Sequence, residues 1–330
     1  MSKLPLTLAI WDYDRTRALA DSSVRPEGID LNVLELVLEE TFFRMARYRE
    51  FDAAEMSLSS YTVSLGRDPK PFIAIPVFPS RAFRHSCIFI SAKSGIREPA
   101  DLKGKRFGTP EYQLTAPVWI RGILADEYGV KPDSPEFYVG GQEQAGREEK
   151  LKLDLPPSFK VRPIGADRTL SAMLASGEID ALHSPRTPST FRSHPDAVKR
   201  LFPDFVAAER DYFRRTRIFP IMHVVAIRRE LYEANRWIAM ALYKAFVEAQ
   251  RRTYASLREN AAHKAMLPWL TAHVEDAIRE FGEDWWPYGF HGNRHVIDTF
   301  LRYHHEQGLS QRRFQPEELF APETMEAFKI

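Results

Sequence analysis

Phe51-Asp52-Ala53-Ala54-Glu55-Met56-Ser57-Leu58-Ser59-Ser60-Tyr61 sets a short apolar run directly before a cluster of hydroxyl side chains. Residues 53–56 predict a strand, and Ser57, Ser59 and Ser60 predict the point where it turns into a helix, because serine oxygens accept the free N–H groups of a helix start. Similar apolar runs bounded by turn residues recur at 6–11, 29–34, 72–78, 85–91, 106–109, 159–164, 179–182 and 218–227. Amphipathic helices alternate with them. Val274, Ala277, Ile278 and Phe281 share one face and Gly282 stops it; Ile297, Phe300, Leu301 and His304 repeat the spacing and end at Gly308; a long helix is predicted over 233–258. This alternation defines an α/β protein. Residues 140–158, with Gly140-Gly141 and a charged run at 147–152, read as an exposed, mobile excursion with a solvated face.

Composition narrows the function. The chain has 330 residues, 46 Lys plus Arg against 45 Asp plus Glu, a formal net charge of +1, and 44% hydrophobic residues. Its length predicts about two lobes, each able to bury its own core. A near-neutral balance gives no electrostatic footprint for nucleic acid or an anionic membrane. The one cysteine, Cys87, excludes an intramolecular disulfide and any multi-thiolate metal site, and is expected as a small buried side chain in a strand. No window reaches the ~20 apolar residues of a membrane span, and residues 6–11 end in Asp12-Tyr13-Asp14-Arg15 and read as a core strand and no export signal. A soluble, cytoplasmic protein is expected.

Several segments together carry a more specific signal. Asp12-Tyr13-Asp14-Arg15-Thr16-Arg17 follows the first strand, Glu27-Gly28-Ile29-Asp30-Leu31 enters the second, and the 51–61 stretch comes next. Ile75-Pro76-Val77-Phe78-Pro79-Ser80-Arg81-Ala82-Phe83-Arg84-His85-Ser86, Asp101-Leu102-Lys103-Gly104-Lys105-Arg106-Phe107-Gly108 and Gly177-Glu178-Ile179-Asp180-Ala181-Leu182 follow. Phe219-Pro220-Ile221-Met222-His223 and Asp284-Trp285-Trp286-Pro287-Tyr288-Gly289 complete the set. From about residue 6 to about 322 this resembles the 4,5-dihydroxyphthalate decarboxylase family. The resemblance implies a two-lobed, type II periplasmic-binding-protein-like α/β fold with a ligand cleft between lobes. It places lobe one at 1–84 and 218–330, lobe two at 85–217, and hinge strands at 85–91 and 218–227. Trp11 stands where that family suggests a small residue, so it is a candidate for narrowing the pocket, and His183 stands where an aliphatic one is expected.

Cofactor-free decarboxylation of a hydroxylated aromatic diacid needs a cation for a carboxylate, a partner for a hydroxyl, a proton donor over the ring and a dry surrounding. Arg15, Arg81 and Arg84 are candidate carboxylate clamps, since a guanidinium offers two parallel donors; each is otherwise a tie within the fold. Ser57, Ser59 and Ser60 either hold an anion or cap a helix. Glu111, Tyr112 and Thr115 occupy the equivalent strand-to-helix position in lobe two, with Glu111 a candidate base or a cap. His85 and His223 fall on the two predicted hinge strands, where pairing would open both onto the cleft; His223 is the expected proton donor and His85 the hydroxyl's partner. Trp286 and Tyr288 either stack on an aromatic ring or pack the core.

No cofactor is predicted. His291 and His295 lack an acidic companion and make a weak metal pair, while a divalent ion held by a catechol with histidine or glutamate ligands stays open. The expected partner is a small aromatic carboxylate, with no nucleic acid and no membrane; a homo-oligomer through the aromatic C-terminal helices is left open. The competing reading is a solute-binding protein of the same fold serving a transporter or sensor. A pyrimidine-precursor synthase on this scaffold would call for a cysteine-rich site, which one cysteine does not provide.

Overall fold

The computed structural model describes residues 2–326. Eleven strands form among them: β1 (Leu4–Ile10), β2 (Ile29–Glu35), β3 (Ala53–Ser57), β4 (Phe72–Ile75), β5 (Ile88–Ser91), β6 (Arg106–Thr109), β7 (Glu136–Val139), β8 (Val161–Pro163), β9 (Ala181–His183), β10 (Val198–Arg200) and β11 (His223–Arg228). They make two sheets, ordered β2-β1-β3-β11-β4 and β10-β5-β9-β6-β7-β8. Among the described residues two compact units follow this division: the chain up to 81 with 221–297 and the chain from 315 onward, and 82–220 with 298–314.

In unit 1, β1 pairs in parallel with β2 and β3, while β11 runs antiparallel between β3 and β4. Leu8, Ile10, Ile73, Ile75, Val225 and Ile227 from the sheet pack against Ile238, Leu242 and Phe246 of the helix Trp237–Leu257. Each such side chain taken from water stabilises the unit by roughly 1.5–3 kcal/mol. That helix begins later than the predicted 233, because Arg229–Ala234 forms a separate short helix ending at Asn235. β3 is the sheet's central strand and all five of its residues are buried, so its charged member, Glu55, needs a partner inside the protein.

In unit 2, β6 pairs in parallel with β7 and β9, β7 with β8, and β5 antiparallel with β9 and β10. Phe89, Ile164, Leu170, Leu174, Ile179, Leu182 and Val198 form its core. Residues 298–314, expected in lobe one, belong here. The reason is steric fit: Trp119 on the helix Thr115–Tyr128 packs against Phe300 and Tyr303, and a Cβ added to Gly122 would lie 2.1 Å from the Tyr303 ring.

The hinge strands differ from expectation. Residues 85–87 form a 3-10 turn, and 218–222 are not part of a strand. The stretches that come together lie just before the first segment: Arg81 and Ile221 form an antiparallel bridge, the Ala82 N–H donates to the Pro220 carbonyl, and the Met222 N–H donates to the Ser80 carbonyl. Cys87, expected as a buried strand residue, is free, half-buried and in that 3-10 turn. Among the described residues, no helix is long and apolar enough to cross a membrane.

Candidate active site

β11 crosses β3 with His223 opposite Ser57 and Val225 opposite Glu55. Side chains two apart on a strand share a face, so Glu55, Ser57 and His223 project to one side, with Glu55 diagonal to the histidine. His223 Nδ1 lies 2.6 Å from Glu55 Oε1, and the carboxylate is fully buried. Glu55 Oε1 also accepts the Tyr13 hydroxyl at 2.8 Å, and Oε2 accepts the Trp11 N–H at 3.2 Å. The buried charge is therefore satisfied on both oxygens by donors from β11 and from the segment after β1. Phe42 meets the His223 ring edge-on at 4.8 Å. His223 Nε2 makes no hydrogen bond within the described protein, and the side chain stays 13% exposed. A carboxylate on Nδ1 with a reachable Nε2 is an arrangement that carries a proton to or from a ligand.

Arg15 sits in the same unit. Its Nε donates to the Pro79 carbonyl at 2.6 Å and Nη1 to Asp14 at 3.0 Å. The guanidinium lies 4.1 Å from the Tyr13 ring centroid and 4.3 Å from that of Trp286, which holds it by cation–π attraction and leaves Nη2 without a hydrogen bond among the described residues. Trp286 is itself fixed, its indole N–H donating to the Phe78 carbonyl at 2.9 Å. The Tyr288 hydroxyl is buried without a hydrogen bond; burial pushes its pKa up, against the pull of Arg15 and Arg81. Ser57 caps the helix Leu58–Ser64, its Oγ accepting the Ser60 N–H at 3.4 Å, and Ser57, Ser59 and Ser60 are all buried. The cap is thus what the geometry shows for Ser57.

Other expected site residues are spent elsewhere. Arg81 is 5% exposed and donates to the Pro287 carbonyl and to Asn293, so it ties down the 287–293 loop; burial lowers its pKa to about 9. Arg84 lies in unit 2, Nη1 at 3.7 Å from Cys87 Sγ. His85 is also in unit 2, packed against Phe202 and Tyr212, and burial drops its pKa to about 4. It lines a small apolar pocket with Arg84, Ile88, Ile120, Ile123, Leu124 and Phe202. The structure therefore does not pair His85 with His223 across hinge strands; β5 pairs with β9 and β10, and β11 with β3 and β4.

Glu111 is also a structural anion. It is 1% exposed and holds Lys150 Nζ at 2.5 Å and Arg147 at 2.6 Å; burial pulls its pKa up, but the two cations outweigh it and the net shift is downward. A carboxylate whose pKa is drawn down by two cations is a weaker base than a free one. The same contacts correct the reading of 147–152 as a solvated face: this segment clamps onto Glu111, and Glu149 accepts the Tyr112 N–H. Burial and then Glu111 push the Glu149 pKa up to about 7. Tyr112 is core, its hydroxyl donating to the Gln307 carbonyl and its ring facing Arg121, and Thr115 opens the following helix in a buried position. His183 is wholly buried beside Phe107, with burial holding it neutral. Among the described residues no group of three or more His, Cys, Asp or Glu side chains is placed to hold a metal, and His291 and His295 belong to no such group.

Glu55 and Tyr13 were not among the expected site residues. The signal for Glu55 was present: a carboxylate inside the apolar run Ala53-Ala54-Glu55-Met56 must find a partner when that run becomes a central strand.

The two sheets and two units define the class: a two-lobed α/β protein with a periplasmic-binding-protein-like fold. The periplasmic sulfonate-binding protein SsuA of a putative sulfonate ABC transporter from Methylobacillus flagellatus superposes with a TM-score of 0.54 at 13% identity, covering 97% of this chain and 92% of that one. The desulfurization enzyme DSZB superposes with a TM-score of 0.50 at 16% identity, covering 98% of each. No family model matches the sequence. The chain is 46% identical over 331 aligned positions to the 4,5-dihydroxyphthalate decarboxylase of Comamonas testosteroni, covering all of both chains. It is also 46% identical over 214 positions to that of Pseudomonas putida, covering 65% of this chain and 83% of the relative. The chain belongs to the 4,5-dihydroxyphthalate decarboxylase family.

Proposed function

We propose that this protein decarboxylates 4,5-dihydroxyphthalate to protocatechuate and carbon dioxide, as a carboxy-lyase acting on a small aromatic dicarboxylate without an added cofactor. The observation that carries this reading is the buried Glu55 carboxylate 2.6 Å from His223 Nδ1, which leaves Nε2 for a ligand. Glu55 stabilises the imidazolium, and Nε2–H protonates the ring carbon that bears the departing carboxylate. The hydroxyl para to that carbon supplies electron density, giving an oxygen-stabilised, non-aromatic intermediate. Cleavage of the carbon–carbon bond releases carbon dioxide and returns its electron pair to the ring. One proton is consumed, and His223 regains it from solvent. Arg15, with Nη2 available and its plane held by Tyr13 and Trp286, serves the second carboxylate.

The test is product analysis. Purified protein is incubated anaerobically with 4,5-dihydroxyphthalate, with and without chelator, and protocatechuate is followed by chromatography beside His223→Gln. The expected result is turnover in the parent, unaffected by chelator, with a loss in His223→Gln of at least about 100-fold. Full turnover in the variant would remove His223 from the mechanism, and chelator sensitivity would replace the cofactor-free reading. Tight binding without turnover would favour a solute receptor.

A further inference from the structure

Glu55 Oε1 receives two donors, His223 Nδ1 and the Tyr13 hydroxyl, while Oε2 receives the Trp11 N–H. Tyr13 and Trp11 come from one short segment, the exit of β1, the strand that pairs in parallel with β3. Tyr13 also offers its ring face to Arg15. One side chain therefore touches both the partner of the proposed proton donor and the proposed carboxylate clamp.

We propose that Tyr13 is a positioning residue of this site, its phenol holding Glu55 for His223 and its ring holding Arg15 for the substrate. The inference rests on the reading of His223 as proton donor. Burial and the neighbouring Glu55 keep the phenol protonated, so it stays a donor throughout the working range. A hydrogen bond onto Oε1 draws negative charge away from the oxygen that faces the imidazole. Without it, Glu55 would concentrate its charge on His223 and bind the imidazolium more tightly. The other charged and titratable groups near the cluster are Arg15 and Asp14 after β1, Arg81 after β4, and Tyr288; Phe42, which packs on the imidazole, is uncharged.

Two variants separate the two roles. Tyr13→Phe removes the hydroxyl and keeps the ring, so KM should stay within about twofold, while the pH at which turnover falls on the alkaline side should rise by about 0.5–1 unit. Tyr13→Leu removes both, and KM should rise about tenfold or more as Arg15 loses its platform. A readout independent of turnover is the NMR titration of the His223 ring proton in the free protein, assigned by its absence in His223→Gln. Its midpoint should move to higher pH in Tyr13→Phe. Coincident titration curves and pH profiles for parent and Tyr13→Phe would overturn the inference. If the titration moves while no decarboxylation is detected in the parent, the positioning role stands and the proposed reaction falls.

Discussion

Two histidines that look alike in sequence have opposite surroundings in the fold. His223 has a carboxylate on Nδ1 and an accessible Nε2, whereas His85 has aromatic rings on two sides and an Nδ1 buried without a partner. Sequence placed both on apolar runs and had no means of telling a ring with a carboxylate on one nitrogen from a desolvated core ring. The arginines pose the same difficulty. Whether a guanidinium fork faces a ligand or backbone carbonyls depends on loops remote in sequence, as Arg81 shows with Pro287 and Asn293. The depressed pKa of His85, about 4 against an ordinary 6.5, has a stability consequence. The folded state binds this proton less readily than the unfolded chain, so the contribution is whole above pH 6.5 and is lost as pH falls toward 4. His85→Phe should remove up to about 3 kcal/mol of acid sensitivity in that window. Urea midpoints between pH 7 and 4 that fall equally in parent and variant would contradict it.

Among elements, long periodic segments were legible and short polar ones were not. The helices Leu270–Phe281 and Arg294–Glu306 carry the apolar spacing read from sequence, and Gly282 caps the first. β10 was missed because Val198-Lys199-Arg200 is a three-residue edge strand with two cations, and β7 because Glu136–Val139 shows little more than one apolar alternation. The 147–152 segment looked like solvated charge because nothing in its own sequence reveals that Glu111 lies beneath it. Replacing Glu111 with Gln leaves Lys150 and Arg147 without their shared anion, and breaking a buried pair in this way costs about 3–5 kcal/mol. The segment should then release, and limited trypsin digestion should cut faster after Arg147 and Lys150. An unchanged cleavage rate at those two bonds would show that the clamp lies in other contacts.

On the scale of the whole molecule, the α/β class followed from the alternation of runs and helices, chain length supplied the expectation of about two lobes, and family likeness gave their boundaries. The placement of 298–314 was hidden because an amphipathic helix announces that it has an apolar face without saying which core receives it. Phe300 and Tyr303 supply Trp119 with its neighbours, so unit 2 is incomplete without this late segment. A chain ending at residue 297 should show amides of Thr115–Tyr128 exchanging far faster than in the full protein. Equal protection in the two would mean that unit 2 closes its core without the segment.

The sheet of unit 1 carries a cost in time. β11 lies between β3 and β4, yet it is synthesised roughly 150 residues after β4. At roughly 5–20 residues per second a ribosome takes about 7–30 s to cover that distance. Throughout that interval the backbone donors and acceptors of β3 and β4 that will face β11 have no permanent mate, and Glu55 has no histidine. Unpaired strand edges stand open through that interval, so molecular chaperones would find a grip on the half-made protein there.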